Sequence, residues 1–100
     1  MKFDWDDGNI NKNLFRHGVH DWEIEDTFLD SQRISLGKNN VHGEERHILF
    51  GRSEVSGKYL RIIYTIRVSA QGEKLIRPIS AYEMSNTDRK LYLRKGGKRR

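Results

Sequence analysis

Residues 58–69 read "KYLRIIYTIRVS", and the alternation within that stretch decides the fold. Side chains of a strand point to opposite faces in turn, so Leu60, Ile62, Tyr64 and Ile66 share one row and Tyr59, Arg61, Ile63, Thr65 and Arg67 the other. Working outward, the same period of two recurs in "RISL" at 33–36, "RHILFGRS" at 46–53 and "EKLIRPISAY" at 73–82. Turn-rich "GKNNVHGEE", "SEVSG" and "AQGE" separate these runs, which predicts an antiparallel meander of about four strands. Pro78 has no amide hydrogen, so its strand is expected at a sheet edge or with the Pro78 nitrogen pointing outward. Strict alternation also places Arg77 in a row with Leu75, Ile79 and Ala81, a guanidinium among apolar side chains.

Before the meander the period is helical. "KFDW" reads as a short opening strand, and Asp6 and Asp7 are capping candidates ahead of a helix over "NINKNLFRH", with Ile10, Leu14 and His17 on one face. Gly18 supplies the left-handed residue that commonly ends a helix. "VHDWEIEDTFLD" predicts a second short helix, with Ile24, Thr27 and Phe28 as its stripe and Glu23, Glu25 and Asp26 displaced from it. After the meander, Ser85 followed by Asp88 opens a last helix running through Leu91 and Tyr92. The expected class is α+β: two N-terminal helices packed on the sheet, then a C-terminal helix. Nothing from Lys95 onward is worth burying, so the chain divides into one domain over 1–94 and a flexible basic tail over 95–100.

The totals agree with one small soluble unit. One hundred residues, 35% of them hydrophobic, support one modest core. No apolar run approaches a membrane span and the opening "MKFDWDDGNINKN" lacks a secretory pattern, so no membrane association and a cytoplasmic location are expected. The absence of cysteine removes disulfides, thiolate metal sites and cysteine nucleophiles. Charge is uneven: residues 1–45 carry five Lys/Arg against ten Asp/Glu, while residues 46–100 carry fourteen against four. A strongly basic second half points to a polyanion, and among polyanions to nucleic acid. A solvated basic surface plus tail is the alternative, since "RKGGKRR" alone supplies five of the fourteen.

The arginines recur in rows. Arg46, Ile48, Phe50 and Arg52 share a face, as do Arg61 and Arg67 on the next strand, and Arg77 follows on the one after. A lone buried guanidinium costs roughly several kcal/mol, so these side chains snorkel, pair with carboxylates such as Glu44, Glu45 or Glu83, or line an open groove. As a group, a basic sheet face carrying Tyr and Phe suits RNA, because arginine clamps phosphate bidentately while rings stack on unpaired bases. Arg61, Arg67, Arg89 and Lys90 are the candidate RNA-binding residues. Among the histidines, His17 is either a general base or a packed helix-end residue, and His42 either a base or a solvated loop residue. His20 and His47 read as structural or exposed. Neither His17-x-x-His20 nor His42 to His47 has a recognised metal-ligand spacing, so no metal and no other cofactor is expected.

"DWDDGNINKNLFRHGV", "VHGEERHILFGRS", "LRIIYTIR" and "IRPISAYEM" occur here in an order that resembles the BrnT toxins of bacterial type II toxin-antitoxin modules, over nearly the whole chain. The resemblance rests on Asn13-Leu14 with His17-Gly18-Val19, His42 with Glu45-Arg46, Gly51-Arg52, and Arg77 with Ser80-Ala81. It implies a RelE-like fold and a ribonuclease that cleaves RNA without metal and inhibits translation. It also implies a ribbon-helix-helix antitoxin like BrnA as partner, with two toxins on one antitoxin dimer that binds operator DNA. Where the family usually continues Ser-Ala-Arg, this chain has Ser80-Ala81-Tyr82. RelE-type toxins are similar in placing a tyrosine among the active-site residues, so Tyr82 joins Arg77, Arg52, Arg46, His17 and His42 as a candidate catalytic residue. A non-catalytic module that binds RNA or only its antitoxin is the alternative that Tyr82 leaves open. Cleavage without metal needs the ribose hydroxyl deprotonated, charge on the phosphorane stabilised and the leaving oxygen protonated; arginines suit the second task and histidine, lysine or tyrosine the others.

Overall fold

The computed structural model describes residues 1–95. In chain order it contains α1 (Lys12–His17), α2 (Asp21–Thr27), β1 (Ile34–Val41), β2 (Glu44–Arg52), β3 (Tyr59–Val68), β4 (Lys74–Glu83) and α3 (Asn86–Lys95). The strands form one antiparallel sheet in the order β1-β2-β3-β4, so the observed layout is the expected one of two helices, a four-stranded meander and a last helix. Lys95 closes α3, and the remainder of the expected tail, 96–100, lies outside the described residues. No helix among the described residues is long and apolar enough to cross a membrane.

The row read from residues 58–69 carries the core. Leu60 and Ile62 are fully buried and join Leu49 of β2 and Ala81 of β4 beneath Val19, Ile24 and Phe28 from the helix side. On α2 the expected stripe of Ile24, Thr27 and Phe28 is buried. Glu23 is buried as well, contrary to its expected place off the stripe, because it is anchored. Its carboxylate accepts the His20 amide at 2.9 Å and the Lys58 ammonium at 3.1 Å. Burial pushes its pKa up, but these donors and the Ser56 hydroxyl outweigh that and hold it below the ordinary value.

The expected first helix is shorter than its pattern. Asn11 adopts the left-handed conformation with φ 57°, so residues 7–11 form turns and α1 starts at Lys12. Asp6 caps that turn by accepting the Gly8 amide at 2.8 Å, rather than capping a helix. The residue of α1 that faces inward is Asn13, fully buried, while Ile10 is 50% exposed and His17 is exposed; the packed-histidine reading of His17 is therefore corrected. The opening strand reduces to a single bridge between Phe3 and Ile76. At the other hairpin, most of "GKNNVHGEE" is strand, with β1 and β2 joined at His42 and Gly43.

β4 is an edge strand, one of the two placements expected from Pro78, and its outer edge is covered by the N-terminal segment. Asp4 donates its amide to the Ile76 carbonyl at 2.7 Å, Asn9 donates its side-chain amide to the Pro78 carbonyl at 3.1 Å, and Ala81 donates its amide to Asn13 Oδ1 at 3.0 Å. Unpaired edge groups are thereby satisfied without a fifth strand. The register jumps within β4: Ile63 faces Ser80 and Tyr64 faces Pro78, so Ile79 is the extra residue of a bulge. The bulge reverses the alternation. Ile76 and Pro78 share the core face with Ala81, and Arg77 shares the opposite face with Ser80 and Tyr82, not with Ala81.

The face opposite the core is covered at one end only. Phe50 and Arg61 face each other on it, and α3 closes over them with Tyr92 as its buried anchor. Tyr92 donates its hydroxyl to the Asp30 carboxylate at 2.6 Å, and its ring meets Tyr59 edge-on at 5.7 Å. The other end of that face stays open, and it carries Arg46, Arg67 and Arg77.

Candidate phosphate-binding cleft

The open end is shaped by a divergence of strands. β2 and β3 pair from Arg52 opposite Tyr59 to His47 opposite Tyr64 and then part, while β1–β2 pairing continues to Glu44 and β3–β4 pairing to Val68. Thr65 stitches the fork by donating its hydroxyl to the Glu45 carbonyl at 2.8 Å. Past it, Glu44 of one hairpin accepts Arg67 Nη2 of the other at 3.1 Å, and also Arg46 Nε at 3.2 Å. Arg46 foremost and Arg67 hold the Glu44 carboxyl below its ordinary pKa against the opposing effect of desolvation.

A cavity of about 180 Å³ opens beside this ion pair, with Lys12, Arg46, Arg67 and Arg77 among its walls and Glu44 as its lining carboxylate. Arg77 is 16% exposed and held in a fork: Nη2 and Nη1 donate to the two Asp6 oxygens at 2.9 and 3.0 Å, and Nη1 also reaches Asp4 at 3.2 Å. The Arg77 bond and the Gly8 amide hold Asp6 below its ordinary pKa. Gly8 packs closely there: a Cβ would stand 3.0 Å from Arg77 Nη2 and 3.1 Å from Asp6 Oδ1, pressing on the ion pair.

Lys12 differs from its neighbours because no carboxylate among the described residues pairs with it. Burial lowers its pKa from the ordinary 10.5, and Arg16, Arg46 and Arg77 lower it further. An ammonium crowded by guanidinium groups is relieved by an arriving anion. It is also easier to deprotonate than an ordinary lysine. Reading the sequence missed Lys12, whose available signal was its position four residues before Arg16 on one helix face.

The structure separates the other candidates. Arg52 and Arg89 lie over the Tyr59 ring at 5.5 and 4.0 Å, at the α3 end of the face. Arg61 lies over Phe50 at 5.5 Å and 3.6 Å from Asp88, partly covered by α3, and Lys90 is exposed on that helix. The Nε atoms of Arg52 and Arg61 are buried with no partner among the described residues. Tyr82 is half-buried, with the His17 ring 5.5 Å away. His42 is exposed at a hairpin tip with φ 51°, and His20 stacks on Trp22. Among the described residues no three His, Asp or Glu side chains group as metal ligands. The cleft thus unites Arg46, Arg67 and Arg77, and leaves Arg52, Arg61, Arg89, Lys90, His17, Tyr82 and His42 outside its lining.

The chemistry of the cleft suits a phosphodiester: three guanidinium groups for its oxygens and one perturbed amine beside them. No curated protein matches the chain. A family model described as "Ribonuclease toxin, BrnT, of type II toxin-antitoxin system" matches residues 5–88, a span that includes every residue lining the cleft, and the chain belongs to that family.

Proposed function

We propose that the protein is a metal-independent endoribonuclease whose scissile phosphate sits against Lys12, Arg46 and Arg77. The observation that carries this reading is Lys12, a cation with no ion-pair partner among the described residues, in a cavity walled by three arginines. Lys12 Nζ in its neutral form accepts the proton of the ribose 2′ hydroxyl, and the 2′ oxygen attacks phosphorus as the bond to the 5′ oxygen breaks. Arg46 and Arg77 stabilise the charge on the phosphorane. The departing 5′ oxygen takes up a proton; Tyr82, on the same sheet face as Arg77, and His17, its ring centred 5.5 Å from that of Tyr82, are the donors offered. Arg52 and Arg89 flank the path of the strand at the α3 end.

The family implies an antitoxin partner, and the proposed assembly is a BrnA-like ribbon-helix-helix dimer carrying two toxins, in the cytoplasm, with operator DNA bound through the antitoxin. Carboxylates of the antitoxin laid over the cleft, or steric closure of it, silence the enzyme. Tyr82 in place of the usual arginine favours a second reading, a module that binds RNA or its antitoxin without cleaving. Purified protein incubated with end-labelled RNA in excess EDTA separates the two. Cleavage that persists, and that falls about a hundredfold or more in Lys12→Met, supports the nuclease. Intact RNA supports the binding module, and activity lost to chelator but restored by magnesium or zinc defeats the mechanism.

A further inference from the structure

The cation-lined cavity has a neighbour. On the far side of the Glu44–Arg67 ion pair, in the fork between the hairpins, lies a second cavity of about 310 Å³ whose walls include Glu44, Glu45, His47, Thr65 and Arg67. The two cavities share Glu44 and Arg67 as wall residues, so they adjoin. We propose that the second cavity is a base-recognition subsite selective for guanine, an inference that rests on reading the first as a phosphate site.

The donors and acceptors on its walls favour that base. Glu45 is 53% exposed and its carboxylate, held by Lys38 at 3.1 Å and facing His47 at 3.5 Å, offers only acceptors. Arg67 is 52% exposed and commits Nη2 to Glu44, leaving the rest of its donor fork. Guanine alone among the four bases presents two adjacent donors, N1–H and N2–H, on one edge and two adjacent acceptors, O6 and N7, on another. The first pair suits Glu45 and the second suits Arg67. Adenine turns an amino group toward the arginine where guanine has O6, and has no N1 proton for the carboxylate. The His47 ring, stacked on Tyr64 at 5.1 Å and 17°, gives the cavity an aromatic wall for a base. Thr65, whose hydroxyl is committed to the Glu45 carbonyl, fixes the fork at the width that keeps the cavity open.

The test is binding, which does not depend on turnover. Wild-type protein is titrated with guanosine 3′-monophosphate and with adenosine 3′-monophosphate, reading affinity by calorimetry and location by amide chemical shifts. The expected result is about tenfold or greater preference for the guanine nucleotide, in line with one bidentate base contact, with shifts at His47 and Thr65. Glu45→Gln, which replaces one acceptor by a donor, and Arg67→Lys, which removes the fork, are each expected to abolish that ratio. Equal affinities in the wild type, or a preference that survives both variants, overturns the subsite. Guanine preference in a protein that leaves RNA intact keeps the subsite and removes the nuclease reading; cleavage without base preference does the reverse.

Discussion

Arg77 is the residue on which the sequence and the site meet. It is excused from the apolar row by the bulge at Ile79, and its charge is shared with Asp4 and Asp6 before any ligand arrives. Two roles are therefore fused in one side chain, anchoring the N-terminal segment and facing the cleft. Asp6→Asn separates them: it weakens the anchor while leaving the cation. We expect the Asp6→Asn and Arg77→Ala proteins to melt at similarly lowered temperatures, with RNA cleavage retained in the first and reduced about a hundredfold in the second, checked by thermal denaturation alongside a cleavage assay. Equal loss of activity in both would reduce Arg77 to an anchor. The acid limb of stability carries the same signature. Asp6 titrates below its ordinary 3.8 when folded, so its contribution is present above that value and disappears as pH falls through the lower folded one. Melting temperature followed from pH 6 down to about 2 should therefore decline less steeply in Asp6→Asn than in the wild type. Lys12 sets the other pH dependence. As the proposed base Lys12 acts once its proton is lost, so kcat/KM, which reports the free enzyme, should climb with pH and level off below the usual lysine range, a limb that Lys12→Arg removes.

At the scale of elements, β2, β3 and the helices depend on a few close approaches. Gly51 lies where α2 crosses β2, and a Cβ there would stand 2.7 Å from Thr27 Cγ2 and 3.2 Å from the Thr27 carbonyl. Gly51→Ala is expected to lower stability by about 1–3 kcal/mol in urea titration, the range typical of overpacking; an unchanged midpoint would mean that α2 slides at no cost. Much of this scale is legible in the sequence. Leu60, Ile62, Ile24 and Phe28 obey simple periods, and Gly18 ends α1 at φ 70° as expected. Less is legible where a local conformation breaks the period. Asn11 at positive φ and the bulge at Ile79 each shift the phase of the residues beyond them, and neither is announced by composition. The position of α3 is hidden for another reason. The helix buries one residue, Tyr92, which reaches Asp30 across the chain, while Asp88 and Arg89 meet Arg61 and Tyr59 of the sheet, and one buried residue leaves no periodic stripe to read. Hence the arginines look like one continuous row in the sequence, although α3 covers Phe50 and part of Arg61 and divides that row in two.

For the whole molecule, the charge split of the sequence becomes a division of surfaces. The acidic first half supplies α1, α2 and the carboxylates Asp4, Asp6 and Glu44 that hold arginines of the basic second half. Such internal pairs offset the repulsion among the clustered guanidinium groups. On the proposed reading an incoming phosphate competes with Asp4, Asp6 and Glu44, and Lys12 is the cation it meets without such competition. Internal pairing of this kind cannot be assigned from sequence, because Asp6 and Arg77 are 71 residues apart and nothing local couples them. The proposed mechanism stands on RNA phosphate being held between Lys12, Arg46 and Arg77. The most direct measurement is a crystal structure with a short RNA made uncleavable by a 2′-deoxy sugar at the scissile position. The expected result is a phosphate in contact with Lys12 Nζ and the Arg46 and Arg77 guanidinium groups, with the preceding base entering the fork beside His47. A phosphate seated instead between Arg52 and Arg89 around Tyr59, with Arg46 and Arg77 still paired to their own carboxylates, would contradict it.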